Sequence, residues 1–159
     1  MSHPRSEYED FKKIAPDVYD LVLALGQLAT KAGLDKHLVE LVKLRASQIN
    51  GCAFCVQHHV LLSERIGVPA DKLHLVAVWR EAPIFSARER AALAWAEALT
   101  LLPEGVSGEV YSEASREFSE SELTYLTSAV ASINVWNRFG AAFRWTPAQR
   151  PVAANAAAS

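Results

Sequence analysis

ELVKLRASQINGCAFCVQHH, residues 40–59, is the stretch that decides how this chain is read. Leu38, Leu41, Val42, Leu44 and Ile49 recur at helical spacing, Asp35 stands ahead of them as an N-cap, and Asn50-Gly51 ends the run. The only two cysteines, Cys52 and Cys55, then open the next helical segment, which ends near Gly67 and carries His58 and His59 one turn beyond Cys55. Two thiols within one turn can close a disulfide. A helix N-terminus presents free N–H groups and a positive dipole end, which favour the thiolate. His59 shares the helix face of Cys55. Glu40 can orient that histidine or relay a proton, provided that its helix packs on the thiol helix.

Outward from this stretch the period stays helical and no strand alternation stands out, so the expected fold class is all-α. Upstream, a helix is predicted over Val18–Lys31, with Leu21, Leu25 and Leu28 as its buried stripe and Gly33 after its end. Downstream, Pro69 starts a segment over Ala70–Trp79, which Glu81-Ala82-Pro83 breaks. Ser86 with Glu89 and Ser119 with Glu122 have the form of capping boxes. The first precedes an alanine-rich stripe (Ala91, Ala92, Trp95, Ala96, Leu99). The second precedes the longest helix, to about Phe143, with Leu123, Leu126, Val130 and Ile133 facing the core. Pro103–Gly108 reads as a loop and Glu109–Phe118 as a shorter helix. Residues 1–17 are expected to be an N-terminal arm, 18–146 a single helical domain, and 147–159 a disordered tail.

The chain has 159 residues, half of them apolar, and a formal net charge of −2. That suits one domain with a sizeable core. No basic stripe points to nucleic acid and no polybasic patch to a membrane. No apolar run is long enough to span a bilayer. Met1–Asp10 is polar and lacks the apolar segment of a secretory signal. A single Cys-x-x-Cys without an export signal points to the cytoplasm and to catalysis or metal binding.

The chemistry that uses every part of the motif is peroxide reduction. Thiolate attack on an O–O bond gives a sulfenic acid, a second thiol condenses with it, and an external dithiol resets the pair. Competing readings are two small buried apolar residues, or half a zinc site completed by His58 or His59 with His37 or His74. A second Cys-x-x-Cys is missing for zinc, and no strand precedes the motif as a thioredoxin fold requires. His3, His37 and His74 have no assigned role. Asn134, Asn137 and Arg138 share a face of the last helix. They form either a buried hydrogen-bond network or a lining for the thiol pocket or a subunit contact. Trp136, Phe139 and Phe143 form an aromatic stripe on the same helix, which calls for cover from a partner subunit.

Glu40, the spaced Cys52-x-x-Cys55 and then His59 resemble the core motif of the AhpD-like alkylhydroperoxidases of the carboxymuconolactone decarboxylase superfamily. Leu41–Arg45, Ser86–Leu99 and Ile133–Arg138 are similar to that family too, so the likeness covers roughly Leu34–Trp145. The resemblance implies an AhpD-like multi-helix bundle that forms homo-trimers or homo-hexamers, with no cofactor and no metal. It implies that Cys55 attacks peroxide, Cys52 resolves, and Glu40 and His59 relay protons. Some members carry a histidine between the cysteines. Phe54 stands there in this chain, which leaves His58 as the other imidazole for the relay. The function so implied is a thiol-dependent, peroxiredoxin-type peroxidase acting on organic or hydrogen peroxides, with a dithiol or redox protein as reductant. The alternatives are thiol–disulfide exchange or redox sensing without turnover, and a lyase akin to the decarboxylase branch with incidental cysteines.

Overall fold

The computed structural model describes residues 4–150, and most of them are helical. Eight α-helices follow one another: α1 (Tyr8–Ile14), α2 (Pro16–Lys31), α3 (Lys36–Ile49), α4 (Ala53–Ile66), α5 (Ala70–Leu75), α6 (Ala87–Thr100), α7 (Gly108–Glu117) and α8 (Glu120–Phe143). Short 3₁₀ turns follow α5 and α6. Among the described residues there is no strand, as the sequence predicts, and no helix long and apolar enough to cross a membrane.

The predicted caps are in place. The Asp35 side chain accepts from Leu38 N–H, and Ser86 with Glu89 and Ser119 with Glu122 form reciprocal capping boxes. Such caps satisfy N–H groups that have no partner inside the helix. Pro69 is the N-cap of α5 rather than a residue of its first turn, and the segment closes as a 3₁₀ turn over Val76–Val78.

Helix α3 is the central element. Leu38, Val39, Leu41, Val42, Leu44 and Ala46 are all buried, because α2, α4, α6 and α8 surround it. One core cluster joins α3 to α6, α7 and α8 through Val39, Val42, Ala92, Ala96, Leu126 and Val130. A second joins α3 and α6 to the α5 region through Leu41, Leu44, Val76, Trp79 and Phe85. The alanines of α6 let these helices approach closely.

Two expectations are corrected. Leu21 and Leu28 are exposed, and α2 buries Gly26 and Ala29 instead, turned towards α8. Small residues win that face because the helices meet very closely: a Cβ on Gly26 would lie 2.6 Å from Ser132 Oγ. Within the expected arm, residues 4–17 are not plain coil. Pro16 starts α2, and α1 buries Phe11, which packs on Phe139 with ring centres 4.7 Å apart. Tyr8 lies 6.3 Å from Trp136, and Arg144 in the left-handed region turns the chain so that Trp145 stacks on Phe139 and Phe143. Residues of α1 and Trp145 therefore lie against the stripe, whose Trp136, Phe139 and Phe143 are half-buried in the single chain. Thr146 donates from N and Oγ1 to the Glu7 carboxylate at 3.0 and 2.9 Å, which clasps the two ends together. Of the expected disordered tail, residues 147–150 are described and carry no helix; 151–159, like His3, lie outside the described residues.

Candidate active site

Helices α3 and α4 form a hairpin about Gly51, whose φ of 67° suits glycine. Cys52 is the N-cap of α4, and its sulfur accepts from Cys55 N–H at 3.2 Å. Cys52 and Cys55 are joined as a disulfide, with Cα atoms 5.3 Å apart, and both are buried. The bond lies against α8 at Gly140, where an added Cβ would sit 2.5 Å from Cys52 Sγ and 3.2 Å from Cys55 Sγ. Gly140 is a site residue that periodicity does not reveal. A lone glycine in a long apolar helix, which costs stability unless packing requires it, was the available signal.

The hairpin brings Glu40 and His59 together. His59 Nδ1 lies 2.7 Å from Glu40 Oε2, and both side chains are buried. An ionised carboxylate only accepts, so Nδ1 carries the proton and Nε2 remains for other work. Lys43 Nζ donates to Glu40 Oε1 at 3.2 Å and to the Gly26 carbonyl at 3.1 Å, tying α3 to α2. Burial by itself pushes the Glu40 carboxyl up. The hydrogen bond and charge of His59, followed by Lys43, outweigh it and hold the group at about 2. Glu40 is therefore no solvated helix-surface glutamate.

Cys55, Glu40, Lys43, His58 and His59 line a cavity of about 470 Å³, which Cys52 does not reach. Tyr8, Phe54, Trp136 and Trp145 supply aromatic wall; Leu23, Gln27, Thr30 and Lys31 of α2 face them with Leu62 of α4. Phe54 packs on Tyr8 and Trp145, 4.9 and 5.4 Å between centres. The His58 ring stacks on Phe54 at 18°. Its area counts as exposed because it faces the cavity, but poor hydration there, then the charge of His59, lowers it to about 4. The Tyr8 hydroxyl is pushed up, first by burial and then by Tyr19.

The polar cluster of α8 takes the network form. Asn50 donates to Asn134 and Asn137, each at 2.9 Å, and Asn137 donates to Ser47 Oγ at 3.0 Å. Arg138 bonds the Asn134 carbonyl. None of the three α8 residues lines the cavity; Asn134 and Asn137 pin the α3–α4 turn to α8, while Arg138 bonds back along α8. Asn50, read only as a helix stop, is the hub. His37 bonds the Ile66 carbonyl at 2.9 Å. Among the described residues no three His, Cys, Asp or Glu side chains cluster to hold a metal ion.

Comparison with known proteins agrees with the fold and motif. YdfG of Bacillus subtilis (strain 168), uncharacterized, is 31% identical over 89% of this chain and 95% of its own. YnjA of Escherichia coli (strain K12), also uncharacterized, is 36% identical over 80% of this chain and 71% of its own. A crystal structure from Agrobacterium tumefaciens, of a protein of unknown function provisionally named as the antioxidant defence protein AhpD, superposes with a TM-score of 0.82. It is 37% identical and covers 95% of this chain and 100% of its own. The model of the carboxymuconolactone decarboxylase family matches residues 16–98, from the start of α2 into α6 and across the whole thiol hairpin. This all-helical chain, with its paired thiols and buried Glu40–His59 contact, belongs to that family as an AhpD-like member.

Proposed function

We propose that the protein is a thiol peroxidase that reduces organic hydroperoxides or hydrogen peroxide through Cys55 and Cys52. The observation that carries the reading is the disulfide itself, with Cys55 on the cavity wall and Cys52 behind it under α8. In the reduced protein, Cys55 gives its proton to His59 Nε2, and the thiolate attacks the outer peroxide oxygen. The O–O bond breaks, the leaving alkoxide takes the proton from His59, and Cys55 becomes a sulfenic acid. Cys52 then attacks the Cys55 sulfur. Water leaves with the Cys52 proton and the disulfide forms. A dithiol returns the pair to thiols by exchange and is itself oxidised. Glu40 holds the His59 tautomer and stabilises the imidazolium.

A peroxidase reset by dithiols belongs in the cytoplasm, where thiols are kept reduced. We extend the proposal to a homo-trimer or homo-hexamer. Ile14 and Leu21, 69% and 73% exposed in the single chain, support a further buried surface.

The test is to reduce the protein, add one equivalent of peroxide, and follow thiol loss by mass, then measure turnover with a dithiol. Peroxide-driven loss of two hydrogens from the Cys52–Cys55 peptide, with loss of peroxide turnover in Cys55→Ser, is the expected result. Disulfide formation without turnover would favour the redox-sensing alternative. Inert thiols would favour the lyase alternative.

A further inference from the structure

The cavity above Cys55 has two chemically different ends. From Cys55 to Leu62 the wall follows α4 for seven residues, about 10 Å at the helical rise of roughly 1.5 Å per residue. At one end are the sulfur and the aromatic rings of Phe54 and Trp136. Helix α2 runs along α8 from Tyr19 beside Trp136 to Gly26 beside Ser132, away from Gly140 and the sulfurs, so its later polar lining residues Gln27, Thr30 and Lys31 lie towards the other end.

The charges on this lining are unequally matched. Among the described residues Glu40 is the only carboxylate on it, and His59 and Lys43 already bond it. Lys43 is further held by the Gly26 carbonyl. Lys31 is exposed and makes no ion pair or hydrogen bond among the described residues. The uncompensated cation of the cavity is therefore Lys31. In the reduced protein the opposite end carries the Cys55 thiolate, which repels an anion. An anionic ligand is oriented by both ends at once: its charge goes to Lys31 and its neutral reactive group to the sulfur. At about 470 Å³ the space also falls in the range of sites that enclose whole organic ligands, roughly 300–1,000 Å³.

We propose that this site takes an organic hydroperoxide bearing a carboxylate remote from its peroxide group, with the carboxylate held by Lys31 and the apolar body between Phe54, Trp136 and Leu62. The proposal rests on the peroxidase reading above and names its substrate class. Gln27 and Thr30 offer hydrogen bonds beside the lysine.

The test uses a linoleic acid hydroperoxide, its methyl ester and hydrogen peroxide, with wild type, Lys31→Gln and Lys31→Glu. The readout is the acid-to-ester ratio of kcat/KM within each variant. Lys31 also lies in the last turn of α2, where a cation stabilises the helix, and the ratio cancels any loss of folded protein. The acid should be preferred about fivefold in wild type, the scale of an ion pair at a wetted rim. Lys31→Gln should bring the ratio to about one, and Lys31→Glu should reverse it. Equal use of acid and ester by wild type, or a preference unchanged in Lys31→Gln, would overturn the carboxylate proposal while leaving the peroxidase reading intact. If all three peroxides are inert, the peroxidase reading fails and takes this proposal with it.

Discussion

Glu40 and Glu97 are both nearly buried carboxylates, 6% and 8% exposed, and both have their carboxyls lowered by neighbours that outweigh burial. Their surroundings differ in kind. Glu97 accepts from Trp79 Nε1 at 2.9 Å, Arg45 Nε at 2.6 Å and Arg80 at 2.5 Å. Arg90 bonds the Trp79, Ala82 and Arg80 carbonyls beside it. Two of the donors are guanidinium groups, which do not release protons near neutral pH. Glu40 instead holds one histidine and one lysine at the wall of a cavity. A carboxylate locked by guanidinium groups and off the wall of the thiol cavity holds structure. A carboxylate bonded to an imidazole that keeps a free nitrogen near a thiol can move a proton. The partner set separates the two roles; burial and pKa direction do not.

The sharpest way to break this comparison is to remove each charge. Glu40→Gln or His59→Ala should slow the reaction of reduced protein with peroxide by about 10²–10⁴-fold, the usual worth of a positioned acid–base group, while the protein stays folded. Stopped-flow rates against pH check this, and unchanged rates would put Glu40 in the same structural class as Glu97. Glu97→Gln should do the converse. It leaves Arg45 without its counter-charge and should cost about 3 kcal/mol of stability, with the peroxide rate of the folded protein near wild type. Urea unfolding paired with the same kinetic assay reads both quantities.

Gly140→Ala probes the packing behind the thiols instead of their electrostatics. The new methyl group presses on Cys52 Sγ when the sulfurs are joined, whereas reduced thiols can rotate away. Overpacking of about 1–3 kcal/mol should then fall mainly on the oxidised form and raise the reduction potential by about 20–60 mV. Equilibration with glutathione buffers measures it, and an unchanged potential would mean that α8 yields equally in both states.

The remaining tests concern pH. The Glu40 carboxyl lies at about 2 against an ordinary 4.5, so on acidification the unfolded chain takes up the proton first. Its stabilisation is complete above pH 4.5 and is lost as pH falls towards 2. His58, lowered from 6.5 to about 4, acts with the same sign over the higher window, because the unfolded chain binds that proton first as well. Unfolding free energies for Glu40→Gln should vary less with pH below 4.5, and those for His58→Gln less between 6.5 and 4. A slope in either variant that matches wild type would remove that residue from the account.

Much of this was legible in the linear chain. The three capped starts, at Asp35, Ser86 and Ser119, need only a side chain and the N–H groups three residues on. The Glu40–His59 contact needs only two consecutive helices folded back at Asn50-Gly51. What was not legible depends on competition between faces. Helix α2 carries leucines on more than one side, so spacing cannot choose between them, and the close approach at Gly26 decides. Helix α1 has seven residues, too short for a period to emerge, and forms because Phe11 finds Phe139 and Trp136. Glu97 draws its partners from two separate segments, Arg45 of α3 and the Trp79-Arg80 pair, and no local pattern announces them.

By itself the sequence determined an all-helical chain, the position of the thiols at a helix start and the identity of the histidine and glutamate able to serve them. These follow from hydrogen bonding and periodicity within a few turns, where chain connectivity leaves little freedom. Only the tertiary structure decided which cysteine lines the cavity, which buried carboxylate is matched by guanidinium groups, and that α1 and Trp145 pack against the aromatic stripe. Those depend on the distances at which helices far apart in sequence can pack, and steric fit at residues such as Gly26 and Gly140 sets them.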